Sequence, residues 1–394
     1  MARISAPKES EWVVLEPDAD AQIHPTVSKR PLYPVSRGHL DAMSTDLGIW
    51  QHARGAEPDR KFGYCTDDVA RVIVVDVLHA RELGWPAVEE STMRSLRFLL
   101  QAYDHSSGRF LNFRDSDGVW LDVPASEDCH ARALVALAAV MGDAPGSALA
   151  EQSRKLFELA LPASLSFSAP RPISAALLAC DCVINSGLPD RAGPALDVLA
   201  ARLVEIVGDP AADWPWFEPV LTYENALVPR ALIAGGLRLD QPTLVARGCA
   251  ILDWLIDVQT GDSGQFSPIG NKTWWPREAG RSQFDQQPIE AASMVAAAVE
   301  AYRATGSPRY FQAAEMAYGW FLGDNDLGVP LAIPASGGCQ DGLTRLGPNK
   351  NQGGESTLMW LTALEQIRDL RRYTHAARPV VLPRPSFDSA AEGE

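Results

Sequence analysis

Six stretches of this chain read as helices that are apolar on nearly every face, each opening just after a polar or Gly/Pro-rich loop. They are TDDVARVIVVDVLHA from Thr66, EDCHARALVALAAVMG from Glu127, PISAALLACDCVI from Pro172, YENALVPRALIAG from Tyr223, QQPIEAASMVAAAVEAY from Gln286 and GGESTLMWLTALEQI from Gly353. A helix without a polar face must be covered on all sides. The segments between them carry a single apolar stripe, the pattern of a helix lying on a core. These are HLDAMSTDLGIWQHA from His39, STMRSLRFLLQAY from Ser91, SALAEQSRKLFELAL from Ser147, PALDVLAARLVEIVG from Pro194, PTLVARGCAILDWLIDV from Pro242 and PRYFQAAEMAYGWFLG from Pro308. Six buried and six striped helices in alternation predict a closed double ring, with the inner helices covered by the outer ones. The expected fold is therefore an all-α (α/α)6 toroid, a repeat of architecture more than of sequence. Neither a sustained period-two pattern nor βαβ alternation competes with it.

The toroid is expected over residues 39–372, with an N-terminal arm at 1–38 and an extended tail at 373–394, where Pro and small polar residues dominate. With 35 Lys+Arg against 50 Asp+Glu the net charge is −15, which argues against nucleic acid as a partner. No apolar run is long enough for a membrane span, and MARISAPKESEW lacks the apolar core of a signal peptide. The six cysteines are scattered without a CxxC pair, as expected of reduced thiols in a cytoplasmic protein. No metal or other cofactor is expected. GxSxG, HExxH, Walker A and GxGxxG patterns are absent, and the GDSG at Gly261 stands in a helical chain unsuited to the protease class that uses it.

Long loops rich in carboxylates and aromatics lead into the inner helices, so one rim of the ring should hold the site. Asp67, Asp68, Glu127, Asp128, Glu224, Asp285 and Glu355 all fall at inner-helix starts. Tyr64, Trp120, Trp214, Trp216, Phe217, Trp274 and Trp275 are the expected walls. Aromatic faces with carboxylates between them suit a sugar, whose C–H faces stack while its hydroxyls hydrogen-bond. Glycosidic cleavage uses two carboxyl groups, one protonated and one ionised. Each acid also has a plainer role as a helix cap or first-turn charge, with Thr66 and Ser126 as caps. Likewise, Arg71 and Arg132 stand four residues after Asp67 and Asp128, a spacing that suits local ion pairs. His130 is either a sugar ligand or a satisfied core histidine, and buried Gln286 and Gln287 would need polar partners.

The motifs DRKFGYCTDDVARVIVV, SEDCHARALVAL, YENALVPRAL, FDQQPIEAA and NQGGESTLMWL resemble those of a bacterial family often encoded with, or fused to, glycosyltransferases. The alternating helices with an acidic inner rim resemble, more broadly, the six-hairpin glycosidase superfamily. Family members often carry Gly before the Arg of the second motif and Asn after the Asp pair of the first, where this chain has Ala131 and Val69. The resemblance implies a carbohydrate context and a functional link to a glycosyltransferase. The reading is an inverting glycoside hydrolase acting on an oligosaccharide, with Asp68 as general acid and Glu355 or Glu224 as base. Tyr64, Asp67, Glu127, Asp128, His130, Trp216, Trp274, Trp275, Asp285, Gln286 and Gln287 are assigned to substrate binding. A sugar epimerase or polysaccharide lyase on the same ring, or a non-catalytic sugar-binding partner of a glycosyltransferase, are the alternatives.

Overall fold

The computed structural model describes residue 28 and residues 30–376, apart from 122–125, 145, 210 and 212. The expectations for residues 1–27 and for the tail from 377 onward lie outside the described residues. Among the described residues twelve α-helices occur: α1 Gly38–Met43, α2 Thr66–Leu83, α3 Glu89–Ala102, α4 Glu127–Asp143, α5 Ala148–Ser164 and α6 Pro170–Asn185, followed by α7 Pro189–Val207, α8 Leu227–Arg238, α9 Pro242–Val258, α10 Pro288–Thr305, α11 Pro308–Leu322 and α12 Gly354–Ala376. The even-numbered helices pack each against the next, and α12 packs back on α2, so the inner ring closes. Helices α3, α5, α7, α9 and α11 each lie on the inner helix that precedes them, and α1 lies on α12. This is the (α/α)6 toroid.

The inner helices obey the rule that a helix without a polar face is a covered one. Val72, Val75, Leu134, Leu137, Leu177, Leu232, Val295 and Leu361 are all buried, as the sequence pattern requires. Helix starts fall within a few residues of expectation, with two corrections. The stripe from His39 does not make a full outer helix: α1 stops at Met43, and Ser44–Thr45 pairs with Gly48–Ile49 in a tight hairpin. Gly48 has φ +136°, and its Cα faces Phe98 and Val69 at a distance where a methyl group would be tight, so chain reversal there depends on glycine. At the other end α12 runs on through Ala376, so Tyr373–Ala376 of the expected tail are still helical.

The loops are asymmetric between the two faces of the ring. Residues 44–65, 103–126, 208–226, 259–287 and 323–353 connect outer to inner helices on one face, where the described strands are only two or three residues long. The reverse connections, 84–88, 144–147, 186–188, 239–241 and 306–307, are short. Only 165–169 breaks the pattern. The N-termini of the inner helices, the positive ends of their dipoles, therefore open onto the rich face.

Residues 30–33, ahead of α1, are held by α11 and α12. Arg371 donates to the Arg30 carbonyl at 3.0 Å, Arg368 to that of Tyr33 at 2.6 Å, and the Tyr318 hydroxyl to that of Pro31 at 3.0 Å.

Packing at the inner ring predicts a sharp contrast between two leucines. Leu137→Ala, at a wholly buried site on α4, is expected to cost about 2–5 kcal/mol in urea unfolding. Leu100→Ala, on α3 and 44% exposed, should change stability by no more than roughly 0.5 kcal/mol. Equal losses at the two sites would contradict the ring packing.

Candidate functional site

The first turn of α2 places Asp67 and Asp68 side by side at the mouth of the ring. The helix begins at Thr66, with Cys65 in the cap position, so Thr66 is not the cap that the sequence suggested; its hydroxyl instead donates to the Leu111 carbonyl at 2.6 Å. Ser126 does cap α4, accepting from the Cys129 amide at 3.3 Å. The first turn of α12 brings in Glu355. Gly354 lies where any Cβ would press on the Trp50 carbonyl, so the absence of a side chain is what lets the start of α12 seat against that loop.

Two arginines organise the carboxylates, though not with the acids four residues earlier that their spacing suggested: Arg71 takes Asp68, not Asp67, and Arg132 does not pair with Asp128. Arg71 holds Asp68 at 2.9 Å through one terminal nitrogen and Glu355 at 2.9 Å through the other. Arg132 reaches Glu224 at 2.6 Å and Asp67 at 3.3 Å. Arg71 thus joins a residue of its own helix to the start of α12, and Arg132 reaches only groups from α2 and the loop before α8. Asp128, left free of Arg132, accepts from the Tyr223 hydroxyl at 2.9 Å. Asn112 donates to Asp67 at 3.0 Å.

A pit of about 780 Å³ opens above this network. Asp67, Asp68, Asp128, Asp285, Gln287 and Glu355 line it, as do Gln286 and Trp274. Other expected residues stand elsewhere. Glu127 accepts from the amides of Ser168 and Ala169 at 2.9 Å each, capping the start of α6. His130 is wholly buried between Phe110 and Phe167 and bonds the Ala160 carbonyl at 2.9 Å, a core histidine. Tyr64 is buried, stacked on Trp50, with its hydroxyl against Thr45. Trp214, Trp216 and Trp275 pack around Trp254 of α9, because four large apolar faces cover one another better than they line a wet wall. Trp120 packs on Phe98, and Phe217 on Trp216. The Gln286 amide meets its need for partners, donating to Asp326 at 2.7 Å and accepting from Trp320 at 2.8 Å. Glu224 is buried below the pit on Arg132.

Sequence reading missed several groups. Tyr223 and Asp341 line the pit, and Asp341 accepts from the Gly353 amide at 2.7 Å. Glu290, buried on α10, accepts from the Glu224 amide and, at 3.3 Å, from Asn225. Arg171 grips the same loop by the Tyr223 carbonyl and by Asn225, and stacks over the Tyr223 ring. A carboxylate or guanidinium inside an otherwise apolar helix was the available signal, since such a charge must find a partner. Backbone strain gathers at the same place. Of the four non-glycine residues with positive φ among those described, Glu224, Trp274 and Asp285 belong to these loops. Bulky side chains in that region are costly and persist only where the surroundings enforce them.

The electrostatics separate the acids. Burial pushes Asp68 up to about 6 against the pull of Arg71, with the charges of Glu355 and Asp67 adding to the rise. The direction is the one expected from crowding, but desolvation is the larger cause. Burial likewise raises Asp128 and Asp341. At Glu224 burial is outweighed by Arg132, which holds the carboxyl below its ordinary value. Glu290 is pushed up to about 7, chiefly by burial. Among the described residues no group of three or more His, Cys, Asp or Glu is placed to hold a metal ion.

Glu290 yields a pH test. Its folded value lies above the ordinary 4.5, so the native state favours the proton, and the associated stability is full below about pH 4.5 and lost as the pH rises through 7. A rise from 4.5 to about 7 corresponds to on the order of 3 kcal/mol. Glu290→Gln keeps an acceptor for the Glu224 amide but does not titrate. Its Tm should exceed that of the wild type at pH 8 and not at pH 4.5; a difference that does not change with pH would contradict the assignment.

No protein-family model matches the sequence, and no curated protein matches it. The fold does have counterparts among solved structures. A cellobiose 2-epimerase from Spirochaeta thermophila DSM 6192 is 15% identical, with a TM-score of 0.62 over 83% of this chain and 91% of that one. A sugar epimerase from a ruminal bacterium is 14% identical, with a TM-score of 0.67 over 84% and 94%. A GH76 α-mannanase from Bacteroides thetaiotaomicron is 11% identical, with a TM-score of 0.61 over 86% and 95%. No described helix is long and apolar enough to cross a membrane. By architecture the chain is an (α/α)6 toroid of the kind these carbohydrate-processing enzymes share.

Proposed function

We propose that this protein is a carbohydrate-active enzyme that hydrolyses a glycosidic bond of an oligosaccharide with inversion. The observation that carries the reading is the Arg71 bridge: one guanidinium at the floor of the pit holds a buried Asp68, pushed up to about 6, and a half-exposed Glu355. One carboxyl keeps its proton up to about pH 6 while its neighbour faces water, which is the division of labour that acid-assisted glycosidic cleavage needs. Asp68 gives its proton to the glycosidic oxygen as the bond to the anomeric carbon breaks. Glu355 takes a proton from water, whose oxygen bonds that carbon from the opposite side. Glu224 is a weaker choice of base, being buried beneath the pit and committed to Arg132. On this reading Asp67, Asp128, Asp285 and Gln287, which line the pit, receive sugar hydroxyls, and Trp274 and Tyr223 supply stacking faces. The glycosyltransferase link that the motifs imply fits an enzyme that trims or recycles a product of such a transferase.

Epimerisation is the rival chemistry on this fold. It would use a pair of facing histidines, and His52 is the one histidine among the described residues that line the pit. Hydrolysis therefore has the better-furnished site.

The test is Asp68→Asn on a sugar that the wild type cleaves, found by screening oligosaccharides for released reducing ends. Turnover should fall by about a thousandfold or more, while calorimetric affinity stays within about tenfold, because the amide keeps its shape but cannot donate the proton. Asp67→Asn should weaken affinity more than turnover. Retention of most activity by Asp68→Asn would remove it as the acid.

A further inference from the structure

The inner helices carry a second stripe that covering by the outer ring does not account for. On α2, Val74 and Leu78 are partly accessible to water although they sit in the middle of a buried helix; on α4 the same holds for Val135 and Ala139, on α10 for Ala296, and on α12 for Met359. Their neighbours Val75, Leu134, Val295 and Leu358 are wholly buried. The spacing of three or four residues puts each stripe on one helix face, and all of these faces border a cavity of about 600 Å³ lined by the six inner helices. It follows the axis of the toroid.

This axial cavity and the pit share Arg71, Asp128 and Arg132. From Arg71 it passes the apolar waist and reaches Arg81, Asp143 and Asp369 on the face opposite the pit, about 15 Å further along α2. There Arg81 is paired with Asp143 at 3.0 Å and with Asp369 at 2.9 Å. The ends of the cavity are lined by charged side chains, and at about 30 Å³ each the volume holds roughly twenty water molecules. Both ends carry charges of each sign, so no net field favours a lone ion.

We propose that the axis of the ring is a water conduit that delivers the nucleophilic water to the floor of the pit, between Arg71 and Arg132, while a sugar fills the mouth. This rests on the hydrolytic reading: each turnover consumes one water, whose oxygen becomes the anomeric hydroxyl, and a bound oligosaccharide blocks the direct route.

Thiol labelling tests the conduit without a substrate. In a Cys182→Ser, Cys249→Ser background, Val135→Cys is treated with a small methanethiosulfonate reagent and the modified peptides are followed by mass spectrometry. Position 135 is expected to react at least tenfold faster than the wholly buried Cys129. Ala296→Leu, projecting from the helix across the ring, should remove most of that reactivity with Tm unchanged or raised; Ala139→Leu is the substitute if that variant folds poorly. Reaction at 135 no faster than at Cys129 overturns the conduit. On a substrate that the wild type cleaves, the blocked variant should lose at least threefold in kcat with KM unchanged. Unchanged kcat in a variant with blocked labelling overturns the supply role and leaves hydrolysis standing. Absence of any hydrolysis by the wild type overturns the hydrolytic reading and with it the supply role, while the labelling still decides whether the axis is open.

Discussion

Two guanidinium groups at the mouth of the ring hold together what the sequence keeps far apart. Arg71 joins α2 to α12, the helices at which the ring closes, and Arg132 joins α4 to α2 and to the loop before α8. Taking so many charges out of water is expensive, and the arrangement survives only because nearly every one is matched by an opposite charge or a directed hydrogen bond. Removing either arginine would leave two carboxylates facing each other with no cation between them. The network is therefore a fastener of the toroid as well as the floor of the pit.

The same constraint explains how the acids differ. Asp68 and Glu355 share one guanidinium, yet Asp68 is buried, so desolvation raises it despite the ion pair, while Glu355 looks into the pit. Glu224 is as buried as Asp68 but has Arg132 at 2.6 Å, and there the ion pair wins. Carboxyl groups at the same mouth of the ring thus acquire different proton affinities from their surroundings. Helix dipoles pull all of these groups in one direction by about 0.3–1 kcal/mol and cannot produce such differences.

The architecture was legible because it is written in periodicity. All-round apolar helices must be covered, and positions such as Leu134, Leu177 and Val295 are buried for that reason. The acids at helix starts were legible too, since the asymmetry of loop lengths tells which face they share. What could not be read was direction. Glu127 and Asp128 are adjacent, yet one caps α6 and the other faces the pit, a difference of about 100° around a helix whose rotation only packing fixes. The tryptophans misled for a related reason: an aromatic in a loop near a site can as well pack on another aromatic, as Trp216 does, as face a ligand. His39 to Ala53 failed as a helix because Gly48 turns the chain back after a single turn and a half.

The claim on which the account rests is that burial, working against the Arg71 ion pair, leaves a proton on Asp68 up to about pH 6. Carbon-detected NMR titration of the side-chain carboxyls, with Asp68 assigned by the signal missing from Asp68→Asn, measures this directly and needs no substrate. The account predicts a midpoint near 6, falling when Glu355→Gln removes the neighbouring charge. A midpoint at or below the ordinary aspartate value of about 3.9, unchanged by Glu355→Gln, would contradict it.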